Sequence, residues 1–174
     1  MKIRASIHIG EKSRPLQLFP VLQETDDHLF LKLAACVFFS EKEPVVISSP
    51  QQSPALEGQD FAPDLITVDD TNQVTLWIEC GKTTLHKLEK VTNRFRDARI
   101  WMLVAQPQEA NQMAAALEEE GNDRIEVWSF AQGEFNRWKG LVQEQTDIIG
   151  EATETSMNLV INNEMFMTEL IRAR

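Results

Sequence analysis

Pro63-Asp64-Leu65-Ile66-Thr67-Val68, a polar link through Asp69-Asp70-Thr71-Asn72, then Val74-Thr75-Leu76-Trp77-Ile78-Glu79-Cys80-Gly81: the reading of this stretch decides the fold. Two short runs rich in β-branched and aromatic residues flank a turn, the pattern of an antiparallel strand pair. Each run carries one carboxylate, Asp64 near the start of the first and Glu79 near the end of the second. Such ends lie side by side across the pair. At about 5 Å and an effective dielectric of about 20, two carboxylates repel by roughly 3 kcal/mol. A hard divalent cation between them reverses the sign, and Mg²⁺ (or Mn²⁺) is the expected cofactor, because Mg²⁺ takes one or two carboxylates and keeps several waters. The competing expectations are a solvated strand-start Asp64 after Pro63 and a structural ion pair between Glu79 and a lysine of the next helix.

Working outward, residues 83–97 predict a helix with an apolar stripe of Leu85, Leu88, Val91, Thr92 and Phe95. Lys87, Lys90 and Arg94 share a stripe bordering that face, so a long lysine stem can run along it. Arg99 to Ala105 is almost continuously apolar, as in a strand covered on both faces. Pro107 fits the first turn of a helix ending before Gly121. Arg124–Phe130 predicts another strand, and residues 132–143 a short helix. Upstream, Thr25 is a candidate N-cap with Asp26 and Asp27 in the first turn. The following helix to Phe39 aligns Leu29, Phe30, Leu33, Ala34, Val37 and Phe38 on one face, with His28 expected in solvent. Residues 44–48 predict a short buried strand and 49–62 a loop. Residues 2–9 and 15–21 suggest a starting hairpin around 10–14. Residues 156–170 suggest a closing one turning at Asn162-Asn163.

The chain has 174 residues, enough for one domain with a real core. Hydrophobic residues make up 43%, ordinary for a globular protein. No apolar run approaches the roughly 20 residues of a membrane helix. The N-terminus alternates like a strand instead of carrying an apolar signal core. Cys36 and Cys80 fall inside predicted elements, as buried free thiols do. A cytoplasmic protein with no membrane association is the expectation. His8, His28 and His86 are dispersed, without metal-ligand spacing. The net charge of −10 argues against a nucleic-acid partner, since phosphate binding rests on Lys and Arg.

Four stretches carry a closer likeness: Glu24-Thr25 opening the first helix, Trp77-Ile78-Glu79-Cys80-Gly81, the helix with Lys90, and Ile125-Glu126-Val127-Trp128. In this order they resemble the YaeQ family. Pro63-Asp64…Glu79 resembles the signature of the PD-(D/E)XK (restriction-endonuclease-like) nuclease superfamily. The resemblance implies a single α/β domain over residues 1–174, with a mixed central sheet flanked by helices and a restriction-endonuclease-like core. N-terminal and C-terminal β-hairpins are added to it. It also implies a metal-dependent nuclease in which Asp64, Glu79 and the Cys80 carbonyl hold the ion and Glu24 adds an acid. Glu24 equally suits a helix N-terminus on electrostatic grounds. The superfamily lysine stands two residues after the acid, where this chain has Gly81. Lys82 is one residue late and would point to the other face. The resemblance places the lysine in the next helix at Lys90, with Lys87 second, to orient water or stabilise charge in the transition state.

Two functions compete. One is phosphodiester hydrolysis at Asp64 and Glu79. The other is a non-catalytic module on the same fold that binds a protein partner, a basic one given the charge. In a third, compatible expectation, the terminal hairpins offer sheet edges to a partner.

Overall fold

The computed structural model describes residues 1–174. Eleven strands and four α-helices follow one another in the order β1 (Ile3–Ile9), β2 (Lys12–Leu18), α1 (Asp26–Phe38), β3 (Val45–Val46), β4 (Leu65–Val68), β5 (Val74–Cys80), α2 (Leu85–Arg94), β6 (Arg99–Val104), α3 (Pro107–Glu119), β7 (Ile125–Ser129), α4 (Glu134–Leu141), β8 (Gln145–Ala152), β9 (Ser156–Ile161), β10 (Glu164–Glu169) and β11 (Ile171–Arg172). The protein is a mixed α/β structure. It has two sheets, however, not one central sheet with appended hairpins. The six-stranded sheet runs β11-β7-β6-β5-β4-β3 and the five-stranded sheet runs β10-β9-β8-β1-β2.

Burial parity along β5 explains the layering. Leu76, Ile78 and Cys80 face one way, into a cluster with α1 and the inner residues of the five-stranded sheet. Trp77 faces the other way, into a second cluster with Leu88 and Val91 of α2 and Ala110 and Leu117 of α3. The central sheet is therefore covered on both faces, which is why β5 and β6 read as apolar runs. Helix α1 lies between the two sheets. Every residue from Leu29 to Phe38 is buried, so it is apolar nearly all round rather than on one face. Burying ten consecutive side chains, at about 25 cal/mol per Å² of apolar surface, makes this helix the main link between the sheets.

The five-stranded sheet owes its continuity to β8, which the sequence pattern does not announce. It pairs in parallel with β1, from Arg4↔Gln145 to Ile9↔Gly150, and antiparallel with β9. Gly150 is required there. A Cβ at that position would lie 2.2 Å from the Asn158 backbone oxygen. The closing hairpin turns at Asn162-Asn163, both with positive φ, as a two-residue hairpin needs. The starting hairpin is tighter than expected. Ile9 pairs with Lys12, so Lys12, Ser13 and Arg14 belong to β2 instead of the turn. The 44–48 segment contributes only the two-residue edge strand β3, with Val45 exposed. No helix is long and apolar enough to cross a membrane. Both cysteines are free and buried.

Candidate functional site

The carboxyl end of β5 gathers the charged side chains. Leu65 pairs with Ile78, which sets Asp64 opposite Glu79 one step further along the ladder. The Asp64 amide donates to the Ile78 carbonyl at 3.0 Å, holding the two strand ends together. Asp64 Oδ2 accepts from the Cys80 amide at 2.7 Å. Glu79 is buried on the α2 side. Its Oε1 accepts from Trp77 Nε1 and contacts Lys87 Nζ, both at 2.8 Å. Burial pushes the Glu79 carboxyl up to about 7, against the pull of Lys87 and with a further push from the Asp64 charge.

Helix α1 supplies the other half. Glu24, His28 and Lys32 stand four residues apart on one face. Thr25 fixes the start of the helix by accepting from the His28 amide, and the Glu24 carboxylate accepts from the Val21 amide. His28 then bridges two acids, with Nδ1 2.6 Å from Glu24 Oε2 and Nε2 2.9 Å from Asp64 Oδ1. Lys32 Nζ, almost fully buried, lies 2.6 Å from the same Glu24 oxygen and 3.9 Å from Asp64. That Glu24 oxygen is buried with no hydrogen bond of good geometry, so it is held by charge alone. Burial lowers the His28 pKa, but the hydrogen bond and charge of Asp64, helped by Glu24, outweigh it. The net shift is upward.

Three acids thus meet three cationic groups: Glu24, Asp64 and Glu79 against His28, Lys32 and Lys87. Of the residues singled out in the sequence, Asp64, Glu79, Cys80, Glu24 and Lys87 come together. Lys90 does not reach Glu79; its ammonium lies 5.3 Å over the ring of Phe61. The phase of α2 explains the exchange. Thr84 caps the helix by accepting from the Lys87 amide. Lys87 is therefore in the first turn, beside the end of β5, and its ammonium also donates to the Ala62 carbonyl at 2.8 Å. Lys90 is three residues, about 4.5 Å, further along the axis. Gly81 has φ +77, where a lysine would be strained. The ammonium comes from the helix instead. His28 is half-buried rather than solvated, and Lys32 is an unexpected member. The Glu24, His28, Lys32 spacing, with a lysine inside an apolar run, is the signal that would have found both.

A metal ion is to be judged against these donors. No group of three or more His, Cys, Asp or Glu side chains converges to hold one. The carboxylates are instead neutralised by protein cations. Asp64 and Glu79 nonetheless offer hard oxygens from neighbouring strands, the chemistry that Mg²⁺ accepts when it keeps its waters.

An α/β protein whose central sheet ends in a compensated cluster of three acids and three bases is the class that fold and site define. Within it, residues 23–170 match the family described as YaeQ protein, and the chain belongs to that family. Two solved structures share the fold over almost the whole length. The YaeQ protein of Xanthomonas axonopodis pv. citri is 19% identical, with a TM-score of 0.71 over 99% of this chain and 97% of that one. The YaeQ protein of Pseudomonas syringae is 12% identical, with a TM-score of 0.69 over 99% of this chain and 94% of that one. No curated protein sequence matches the chain significantly.

Proposed function

We propose that the cluster at the end of β5 hydrolyses phosphodiesters with the help of a divalent cation, as in the restriction-endonuclease-like nucleases that the Pro63-Asp64…Glu79 pattern resembles. The observation that carries this proposal is the convergence of Asp64 and Glu79 with Lys87 at one strand end. Asp64 and Glu79 would hold Mg²⁺ or Mn²⁺, with the Cys80 carbonyl beside them and Glu24 behind. Bound there, the ion supplies Lewis-acid stabilisation of charge at phosphorus. The chain's own groups do the rest. Lys87, released from Glu79, neutralises developing negative charge or orients water. Glu24 holds both His28 and Lys32, and His28 holds one oxygen of Asp64. Glu79, raised to about 7, must give up its proton for a cation to bind, so binding should strengthen as pH rises through that value.

The net charge is a weaker objection than its total suggests. Residues 140–171 contain six carboxylates (Glu144, Asp147, Glu151, Glu154, Glu164 and Glu169) and no Lys or Arg. More than half of the −10 therefore belongs to β8–β10 and the links around them, and not to the strand ends that carry Asp64 and Glu79.

The test is cleavage of single- and double-stranded DNA and RNA with Mg²⁺ or Mn²⁺. Asp64→Ala, Glu79→Ala and Lys87→Met should each lower the rate by about 100-fold or more. Calorimetry should show Mn²⁺ binding that disappears in Glu79→Ala. An inert wild type, or equal cleavage by Asp64→Ala, removes the proposal. The compensated cluster would then be a structural device of a protein-binding module.

A further inference from the structure

Four strands lie at sheet edges, and three of them are protected. Strands β3 and β11 are two residues long. Strand β2 is longer but carries Pro15, which cannot donate, together with Lys12 and Arg14. These are the usual means of blunting an edge. Strand β10, six residues of sequence Glu-Met-Phe-Met-Thr-Glu, has neither proline nor lysine. Its two-residue turn makes Ile161–Glu164 the closing hydrogen-bonded pair, so alternation along the ladder bonds Phe166 and Thr168 to β9. The amides and carbonyls of Met165 and Met167 then point outward from the sheet edge.

The face beside that edge is apolar. Ile149, Val160 and Met165 stand in one row across β8, β9 and β10, and Met167 adjoins it. They are 55%, 41%, 72% and 58% exposed. The chain here is acidic, since no Lys or Arg occurs between residues 140 and 171, although Glu154 in the β8–β9 link is paired with Lys42 and Arg99. At the end of the strands is a groove of about 630 Å³, lined by Glu41, Glu151 and Glu169 with Met157, Met167 and Thr168, and by no cationic residue. The Thr168 hydroxyl is buried there without a hydrogen-bond partner.

We infer that β10 is a docking edge for an extended segment of a partner protein in which Lys or Arg alternates with aliphatic residues. The segment adds as a sixth strand to the five-stranded sheet. Its backbone pairs with Met165 and Met167, its aliphatic side chains cover Ile149, Val160 and the two methionines, and one cation enters the Glu41–Glu151–Glu169 groove. Strand addition of this kind takes affinity from main-chain bonds and specificity from alternate side chains. A second copy of this chain is the wrong occupant, because it would set one cation-free acidic hairpin against another.

The probe is a capped seven-residue peptide alternating Lys or Arg with Val and Ile. It should bind the wild-type protein in calorimetry and slow amide exchange at Met165 and Met167. The same peptide with Glu replacing every cation should bind at least tenfold more weakly. Met167→Pro, which removes an outward-facing N–H together with one of the two exposed methionine side chains, should weaken the basic peptide at least tenfold. Glu151→Lys with Glu169→Lys should do the same, giving a second variant should the proline disturb folding. Absence of binding by the basic peptide, equal binding of the acidic one, indifference to both variants, or protection confined to another strand would each overturn the inference. So would a wild-type dimer in light scattering that Met167→Pro dissociates, since that gives the edge to a second copy.

Discussion

The two sheets handle charge in opposite ways. The six-stranded sheet is covered on both faces, and its acids at the end of β5 are matched one for one by His28, Lys32 and Lys87. The five-stranded sheet is covered on one face only, and β8–β10 carry acids with no cation at all. Burial makes the difference. An unpaired carboxylate in a covered layer costs several kcal/mol, whereas on an open face water solvates it at little cost. Compensation in the first sheet is a condition of folding. Its absence in the second leaves a surface that selects for what approaches it.

The largest expected effect breaks the open sheet. Gly150→Ala forces a Cβ against the Asn158 carbonyl and should cost about 3 kcal/mol or more in urea unfolding. Because α1 packs against both sheets, the loss should appear in one cooperative transition. Two separate transitions would show that the sheets are independent units. Next, Lys87→Met leaves Glu79 buried beside Asp64 without its ammonium. It should destabilise the protein by about 3 kcal/mol at pH 8, and by much less at pH 5, where Glu79 carries a proton.

Smaller effects test the compensation by titration. The Glu79 pKa is raised in the folded state, so between about 4.5 and 7 the folded protein holds the extra proton. Stability should therefore fall as pH rises through that window, and Glu79→Gln should flatten the slope in urea midpoints taken against pH. His28 is also raised, and its contribution is fully present below its unfolded value of 6.5 and lost as pH rises through the higher folded value. His28→Asn should cost about 1 kcal/mol at pH 5.5, discounted for its partial exposure, and less at pH 9. A pH-independent loss would mean that His28 acts by packing alone.

The covered sheet was far more legible in the sequence than the open one. Apolar runs at Leu76–Ile78 and Ile100–Val104 mark strands buried on both faces, and Thr25, Thr84 and Pro107 mark helix starts. Strand β8 hides because its inward positions are Thr146, Ile148, Gly150 and Ala152, too mixed for a clear alternation, and its partner β1 lies some 140 residues away. At the site, Asp64 and Glu79 stand out as carboxylates in apolar strands. Which lysine serves them depends on helix phase, which Thr84 sets but stripe membership does not reveal. His28 and Lys32 were missed for a different reason. A helix sandwiched between sheets has no free face, so one apolar stripe conceals that its remaining side is also buried.

The parallel pairing of β1 with β8 also governs the order of assembly. The β1–β2 hairpin is synthesised early, yet the strand that must lie along its inner edge is made after almost the whole central layer. Until then β1 waits with an unfilled flank, exposed to any extended chain nearby. Nascent chains halted before Gln145 should therefore be the protein's most chaperone-dependent form.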